Sequence, residues 1–453
     1  MPQSQIAPGV YSSDTGVQVT LEADGVIYYT TDGSEPTTKS LVYSGPIQVD
    51  QTMVLRAAAF ETNKLRSDIY TATFVIGQGH DVPIVSLVTN PEGLWGKSGV
   101  YKDGDRDVKQ ISLSANVAYS GSDGSFSKDC EMAMHGDTSL YAFDKKSFKV
   151  RFKDNYDGPL YYDVFGDGEV TAFSSLVLRA SHESSFSTHM HDAFIASVAA
   201  DSCDTVIPMK YKYVALYLNG EYWGLYAIRE HHTETHYASY MNFPEDTVTM
   251  VRYTTDIDST LKDLYKFSRN YNFRNDADYA WAQEIIDISS ITDWMILQAY
   301  MCNIDINNNM RYYYSTVDGL WRCALVDLDL GMSGSNAAFG EVLDAWHHGE
   351  IPTALMGNAS FKDYSAKRLA ELLEGPLSDE NARARIESMA DEIRNEVAKD
   401  AARWKDPSYG WEKFYKEMLE FVDGRAERMI NSFCQEAGFK QDQKEQYFGH
   451  LLK

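Results

Sequence analysis

The sequence predicts an α+β protein: a small β-sandwich followed by a larger domain that is strand-rich in its first part and helical in its second. Three observations predict it. Ahead of about Thr260 the chain is cut into short alternating or continuous apolar runs separated by Gly, Asp, Asn and Pro turns, the pattern of strands. Beyond that point apolar residues recur at three- and four-residue steps, the pattern of helices packed by one face. Strands followed by helices, rather than alternating with them, give α+β and not a doubly wound sheet.

With 453 residues the chain has material for two or three domains, taking roughly 150 residues for each. No apolar stretch approaches the ~20 residues that a membrane-spanning helix needs. Against 66 Asp and Glu stand 41 Lys and Arg, a net charge of -25, which repels nucleic acid and anionic lipid and would draw in a basic partner. Cys130, Cys203, Cys302, Cys323 and Cys434 are far apart and form no C-x-x-C, so buried thiols with at most one or two bridges are expected. The N-terminus reads MPQSQIAPGV. It lacks the basic, apolar and small-residue succession of an export signal, and an initiator Met directly ahead of a strand-like module fits a chain whose signal has been trimmed away.

From Gly9 to about Ile76 the runs VQVTLEA, VIYYTTDGSEP, PIQVD, TMVLRAAAF and IYTATFVI predict a small antiparallel sandwich. Asp32-Gly33 supplies the turn after a strand of β-branched and aromatic residues, and Pro36 closes the loop. On Tyr28-Tyr29-Thr30-Thr31-Asp32-Gly33-Ser34-Glu35-Pro36 and the later Leu55-Arg56-Ala57-Ala58-Ala59, residues 1–78 resemble the Ig-like module at the C-terminus of chitobiases and hexosaminidases. The resemblance implies an accessory module on a secreted or cell-surface protein, with any chemistry placed elsewhere.

Residues 79–453 form the second domain, strand-rich over about 79–235 and helical over about 236–453. After Gly77-Gln78-Gly79-His80-Asp81, VPIVSLVT reads as a buried strand. EMAMHG, KSFKVRF, SSLVLRAS and KYVALYLNGEYWGLYAIRE continue the strands, the last turning at Asn219-Gly220, the strongest hairpin signal. HMHDAFIASVAAD has helical period. A short β passage, NNMRYYYSTVDGLWRCALVDLD, interrupts the later helices, among which ENARARIESMADEIRNEVAKDAARW and GWEKFYKEMLEFVDGRAERMINSF stand out.

Two constellations could carry chemistry. Asp305, with Asn307, Asn308 and Asn309, follows the helical run ITDWMILQAYM and so falls in a loop where polar side chains can face a cleft. About twenty residues on, Ala324-Leu325-Val326 leads into Asp327-Leu328-Asp329-Leu330-Gly331. Two acids two apart on an extended chain point the same way. Oxygen ligands of this kind suit a hard cation such as Mg²⁺, or Mn²⁺, bridging to phosphate. Two carboxylate loops joined by a short hairpin match the catalytic and metal loops of protein-kinase-like enzymes. The His expected two residues before the first Asp is Asn303, and Asn309 or Asn308 must supply the metal-binding Asn at a shorter step. A phosphoryl-transfer site also needs a cation under a covering turn. His135-Gly136-Asp137-Thr138-Ser139 offers the turn. In the strand after it, Lys146 alternates with Lys145 so as to share a face with Phe148 and Val150, leaving Lys145 and Lys149 exposed.

These stretches, with P-I-V-S-L, G-L-W-G-x-x-G-V-Y, L-V-L-R, Y-L-N-G-E-Y-W-G-L-Y and the R-x-x-x-M helix at Arg425, resemble in order and spacing the CotH family of atypical protein kinases, over residues from about Val82 to Phe439. The resemblance implies a kinase-like fold with a β-rich N-lobe and a helical C-lobe, and ATP- and metal-dependent phosphorylation of Ser or Thr on an exported or surface protein. It implies that Lys146 meets the nucleotide phosphates beside His135, Gly136 and Ser139, and that Glu230 lies at the hinge near the adenine. Asp305 would be the catalytic acid-base or hydroxyl-orienting residue. Asn309 or Asn308, Asp327 and Asp329 would hold metal, with Asp327 favoured by the strand end and Asp329 by the D-L-G spacing. Asp192 or Glu183 would partner Lys146.

Two other function classes compete. Histidines at 189, 191, 231, 232, 236, 347 and 348 suggest a His-ligated metalloenzyme, with His232 and His236 at the helical i, i+4 step. Thirty Tyr and eight Trp, together with the hexosaminidase-type module, suggest a non-catalytic carbohydrate or cell-surface binding protein.

Overall fold

The computed structural model describes residues 1–12, 16–101, 107–181, 188–252, 272–306, 309–332, 339–345, 350–405 and 410–452. The chain divides into two compact units. The first comprises Met1–Glu183, Lys212–Arg229 and Glu392–Tyr409, and the second Ser184–Tyr211, Glu230–Asp391 and Gly410–Lys453.

The first unit opens with a sandwich-like module. Strands β1 (Gly9–Tyr11), β2 (Val26–Thr30), β3 (Leu41–Val42), β4 (Met53–Phe60) and β5 (Tyr70–Ile76) form a sheet in the order β1-β5-β4-β2-β3. Two short strand pairs, Gln3–Ser4 with Leu21–Glu22 and Val17–Val19 with Ile47–Val49, complete it. Val19, Leu21, Ile27, Val49, Leu55 and Phe74 are its core. The sheet is not wholly antiparallel: β1 runs parallel to β5. First and last strands lie side by side, and the module between them serves as the long crossover that a parallel pair requires.

A closed barrel follows, built from β6 (Ile84–Thr89), β7 (Leu113–Gly121), β8 (Gly124–His135), β9 (Ser147–Arg151), β10 (Ser175–Arg179), β11 (Tyr211–Leu218) and β12 (Glu221–Glu230). Their order is β6-β7-β8-β9-β10-β12-β11, and parallel pairing of Ile84–Leu87 with Ala215–Leu218 closes the ring. Every residue of β6 is buried, which explains why it is mostly apolar rather than alternating, and closure leaves no sheet edge to guard. The hairpin between β11 and β12 turns at Asn219 and Gly220, both at positive φ, as a two-residue turn of type I′ demands.

The module packs on the barrel. Thr73 Oγ1 on β5 lies 2.5 Å from Ser86 Oγ on β6. Gly33, the glycine of the Asp-Gly turn, has φ +85, and a Cβ there would stand 2.8 Å from Asn219 Cγ. Arg56 on β4 holds the same turn by donating to Gly33 O at 2.9 Å. The turn that marks the module in the sequence is thus occupied in packing.

In the second unit a three-stranded sheet, β13 (Val248–Arg252), β14 (Arg311–Ser315) and β15 (Trp321–Ala324), accompanies the helices. The helices that matter here are α1 (His191–Ser202), α2 (Glu234–Met241), α3 (Ile288–Met301), α4 (Ala359–Glu374), α5 (Asp379–Trp404), α6 (Trp411–Val422) and α7 (Arg425–Ala437). The residues of α5 from Glu392 onward belong to the first unit. GWEKFYKEMLEFVDGRAERMINSF is two helices rather than one, because the chain breaks at Asp423-Gly424 with Gly424 at φ +66. Ser290 to Met301 of α3 are all buried, its N-terminus is capped by Asp287, and Cys302 at φ +52 ends it. The five cysteines are free and buried. No described helix is long and apolar enough to cross a membrane.

Candidate functional site

In the first unit the structure brings Lys146 to the turn after β8. His135 ends that strand, opposite Ser147. Gly136 follows at φ +115, where a Cβ would meet Ser139 Oγ at 2.2 Å. Lys146 is buried, and its Nζ donates to Leu140 O and Phe143 O, each at 2.9 Å. The ammonium therefore closes the C-terminal end of the short helix Ser139–Ala142 and sets the shape of the turn, a favourable place for a cation.

The alternation expected of the lysines does not hold. Strand β9 begins at Ser147, so Lys145 and Lys146 precede it and escape its period, and both are 1 % exposed. Lys145 Nζ lies 2.8 Å from Asp400 Oδ1 on α5 and donates to Leu225 O at 2.6 Å. Asp400 Oδ1 also accepts from Leu225 N at 2.9 Å. Burial pulls the Lys145 pKa down, against the opposing pull of Asp400. Space for this pair comes from Gly224 on β12, where a Cβ would sit 2.2 Å from Asp400 Oδ1.

The other predicted residues lie in the second unit. Glu230, fully buried at the end of β12, accepts from Lys210 N at 2.9 Å and from the Tyr240 hydroxyl at 2.8 Å. Asp305 emerges from the loop after α3. Asn303, 0 % exposed, accepts from Asp305 N at 3.1 Å and donates to Gln298 Oε1 at 2.9 Å, so the residue in place of the expected His braces the Asp305 backbone. Asn309 Nδ2 donates to Asp305 O at 3.0 Å and Asp305 Oδ2 at 3.3 Å. Burial raises the Asp305 pKa, partly offset by the Asn309 amide. Asn308, Glu183, His347 and His348 lie outside the described residues.

The Asp327 loop returns to the same helix end. Met332 N donates to Met301 O at 2.7 Å, and a Cβ on Gly331 would touch the Met301 side chain at 3.0 Å. Strand β15 stops at Ala324 and Asp327 has φ +57. The rule that acids two apart on an extended chain share a direction therefore does not apply. Left-handed backbone at a non-glycine residue is uncommon, and Asp327 is one of ten such residues among those described, with Met332 of the same loop another. His191 is buried near Asp329, and burial pushes its pKa down to about 4 despite Asp329 and Asp192.

His232 and His236 do not sit as a zinc pair. His232 precedes α2, so the helical step does not join them. Its Nδ1 bonds the Tyr237 hydroxyl and its Nε2 lies 3.1 Å from Leu325 O. Among the described residues no group of three or more His, Cys, Asp or Glu is placed to hold a metal ion. A cation at Asp327 would have to complete its shell with water and ligand oxygens, as Mg²⁺ does when it uses one or two carboxylates.

Reading the sequence alone gave Asp400 no role and took Gly224 and Arg425 only as landmarks of the resemblance. Arg425, buried at the start of α7, donates from Nε to Tyr300 O at 3.0 Å and from Nη2 to Ala299 O at 2.6 Å and Cys302 Sγ at 3.1 Å. It thus closes the end of α3 from which the Asp305 loop departs. A basic residue just after a helix-breaking Asp-Gly was the available signal.

Two known families match parts of the chain. Residues 132–429, more than half of the chain, match the family described as CotH kinase protein. Residues 6–71 match the chitobiase/beta-hexosaminidase C-terminal domain. No curated protein matches the chain.

Proposed function

Because the chain belongs to the CotH kinase protein family, we propose that it is an ATP- and metal-dependent kinase that phosphorylates Ser or Thr of an exported or surface protein. The observation that carries this reading is the convergence on one helix end: the Asp305 loop leaves the C-terminus of α3, and the Asp327 loop is bonded back to it through Met332 and Met301. In this reading Asp305 orients the attacking hydroxyl and takes its proton. Its raised pKa brings it closer to the range in which a carboxylate works as a base. Asp327, assisted by Asp329 and Asn309, holds Mg²⁺ or Mn²⁺, which neutralises charge on the transferring phosphoryl group. Lys146, under the His135–Ser139 turn, is assigned to the nucleotide phosphates, and Glu230 to the neighbourhood of the adenine. Catalysis comes from positioning and charge neutralisation.

The export assignment rests on the N-terminal module, which we also take as the part that attaches to surface polysaccharide. The substrate is expected to be basic and rich in Ser and Thr, given the net charge of -25. Incubation with radiolabelled ATP, Mn²⁺ or Mg²⁺ and a basic Ser-rich protein should transfer label, and Asp305→Ala or Asp327→Ala should reduce transfer by at least ~100-fold. Wild-type rates in both variants would overturn the assignment, and a preference for acidic peptides would overturn the substrate class.

A further inference from the structure

We propose that Asp192, in the first turn of α1, is a positioning residue for Asp327, holding the metal-binding carboxylate in place by gripping the backbone of the residue after it. The inference rests on the reading of Asp327 as a metal ligand and adds what shapes that ligand. Three buried side chains from three different parts of the second unit grip the chain between Ala324 and Leu328. Trp294 Nε1 on α3 donates to Ala324 O at 3.2 Å. His232 Nε2 bonds Leu325 O at 3.1 Å, and the bond of its Nδ1 with the Tyr237 hydroxyl orients the ring. Asp192 Oδ1 accepts from Leu328 N at 3.1 Å. Trp294 and His232 fix the approach to Asp327, and Asp192 fixes the exit.

Between these anchors Asp327 takes φ +57. Such a backbone costs on the order of 1 kcal/mol or more and persists where its surroundings over-determine it. Trp294, His232, Asp192 and Leu328 are all nearly or wholly buried, so water does not substitute readily for the missing partner. Helix α1 is otherwise a core helix of Ala193, Phe194, Ile195, Ala196, Val198 and Ala199. A carboxylate buried among such residues is costly unless it is bonded, and the Leu328 amide supplies a bond at the position where the loop needs one. Residues that orient metal ligands in this way change metal affinity by about 10–100-fold when altered.

The test titrates Mn²⁺ alone, followed by electron paramagnetic resonance, into the full chain and its Asp192→Ala and Asp192→Asn variants, with amide hydrogen exchange measured at Leu328. Asparagine keeps the acceptor oxygen and alanine removes it. Asp192→Ala should weaken Mn²⁺ binding by about 10–100-fold and speed exchange at Leu328 while the amides of α3 keep their protection. Asp192→Asn should stay within about threefold of wild type on both readouts because it keeps the acceptor, whereas Asp192→Leu, which fills the space without one, should be impaired like alanine. Unchanged Leu328 exchange in Asp192→Ala overturns the proposal, and so does an asparagine variant as impaired as alanine. Should alanine fail to fold, Asp192→Ser is read by the same criteria. A wild-type chain that binds no Mn²⁺ would remove the metal reading, and exchange at Leu328 would still decide whether Asp192 holds the loop.

Discussion

Substituting alanine for Gly224 should destabilise the protein far more than its single methyl group suggests. The new Cβ would stand 2.2 Å from Asp400 Oδ1, 3.0 Å from Trp404 Nε1 and 3.2 Å from Lys145 Cε. The carboxylate must move, and that oxygen is the one bonded to both Lys145 Nζ at 2.8 Å and Leu225 N at 2.9 Å. Breaking a buried ion pair from one side costs about 3–5 kcal/mol, because the remaining charge stays buried without a counterion. Holding a non-glycine residue at φ +127 adds about 1–3 kcal/mol. A loss of at least about 4 kcal/mol is expected, a fall in melting temperature on the order of 10 °C for a folding unit of this size. Urea and thermal unfolding followed by circular dichroism measure it. Replacing Lys145 by Met in the same chain removes the charge that would be stranded, so the double variant should recover at least about 1 kcal/mol relative to additivity. A Gly224→Ala protein within about 0.5 kcal/mol of wild type, or strict additivity with Lys145→Met, would refute the reasoning.

Two further outcomes follow from the second unit. Desolvation pushes the pKa of buried His236 down to about 4 and that of His191 likewise to about 4, and it holds His232 well below the ordinary imidazole range. Unfolding returns each to about 6.5, so the unfolded chain binds the extra protons. Stability is then full above pH 6.5 and is lost as pH falls toward 4, by up to about 1.4 kcal/mol per pH unit for each histidine. Urea midpoints between pH 7.5 and 4.5 should show this slope, and His236→Gln should flatten it, whereas an unchanged slope would show that His236 is not buried neutral. Arg425→Lys keeps the charge but not the fork that reaches three acceptors. It should cost about 2–3 kcal/mol and slow phosphate transfer through the Asp305 loop, and unfolding together with single-turnover transfer would expose a silent substitution.

Much of the fold was legible because its signals are local. Asn219-Gly220 forces a hairpin wherever the strands go, and the mostly apolar, non-alternating stretch Ile84–Thr89 declares burial on both faces. The closed ring was not legible, since the parallel pairing of β6 with β11 joins segments about 130 residues apart, and nothing in either strand's period names its partner. The lysine reading failed at its first step for a related reason. Alternation assigns faces only inside a strand, and β9 starts one residue after Lys146. Asp305 and Asp327 stood out as polar residues at the ends of apolar elements, whereas Asp192 and Asp400 sit among helical residues, where a lone Asp carries no local signal of the backbone amide it serves.

The two departures from the kinase-like pattern, Asn303 and Asn309, both bond to Asp305. A His two residues ahead of the acid would brace the loop by a ring nitrogen. Asn303 does so with both ends of one amide, accepting from Asp305 N and donating to Gln298 Oε1 on α3. This ties Asp305 directly to its helix. Met310, in the position where the kinase-like pattern has its Asn, is buried at 1 % exposure. Asn309, one residue earlier, has its amide on the Asp305 carboxylate at 3.3 Å and can turn its other end, a carbonyl oxygen, toward a cation. Restoring His at position 303 alone should weaken the loop, because a ring larger than the Asn side chain must fit a site that is 0 % exposed, and faster amide exchange at Asp305 would measure it.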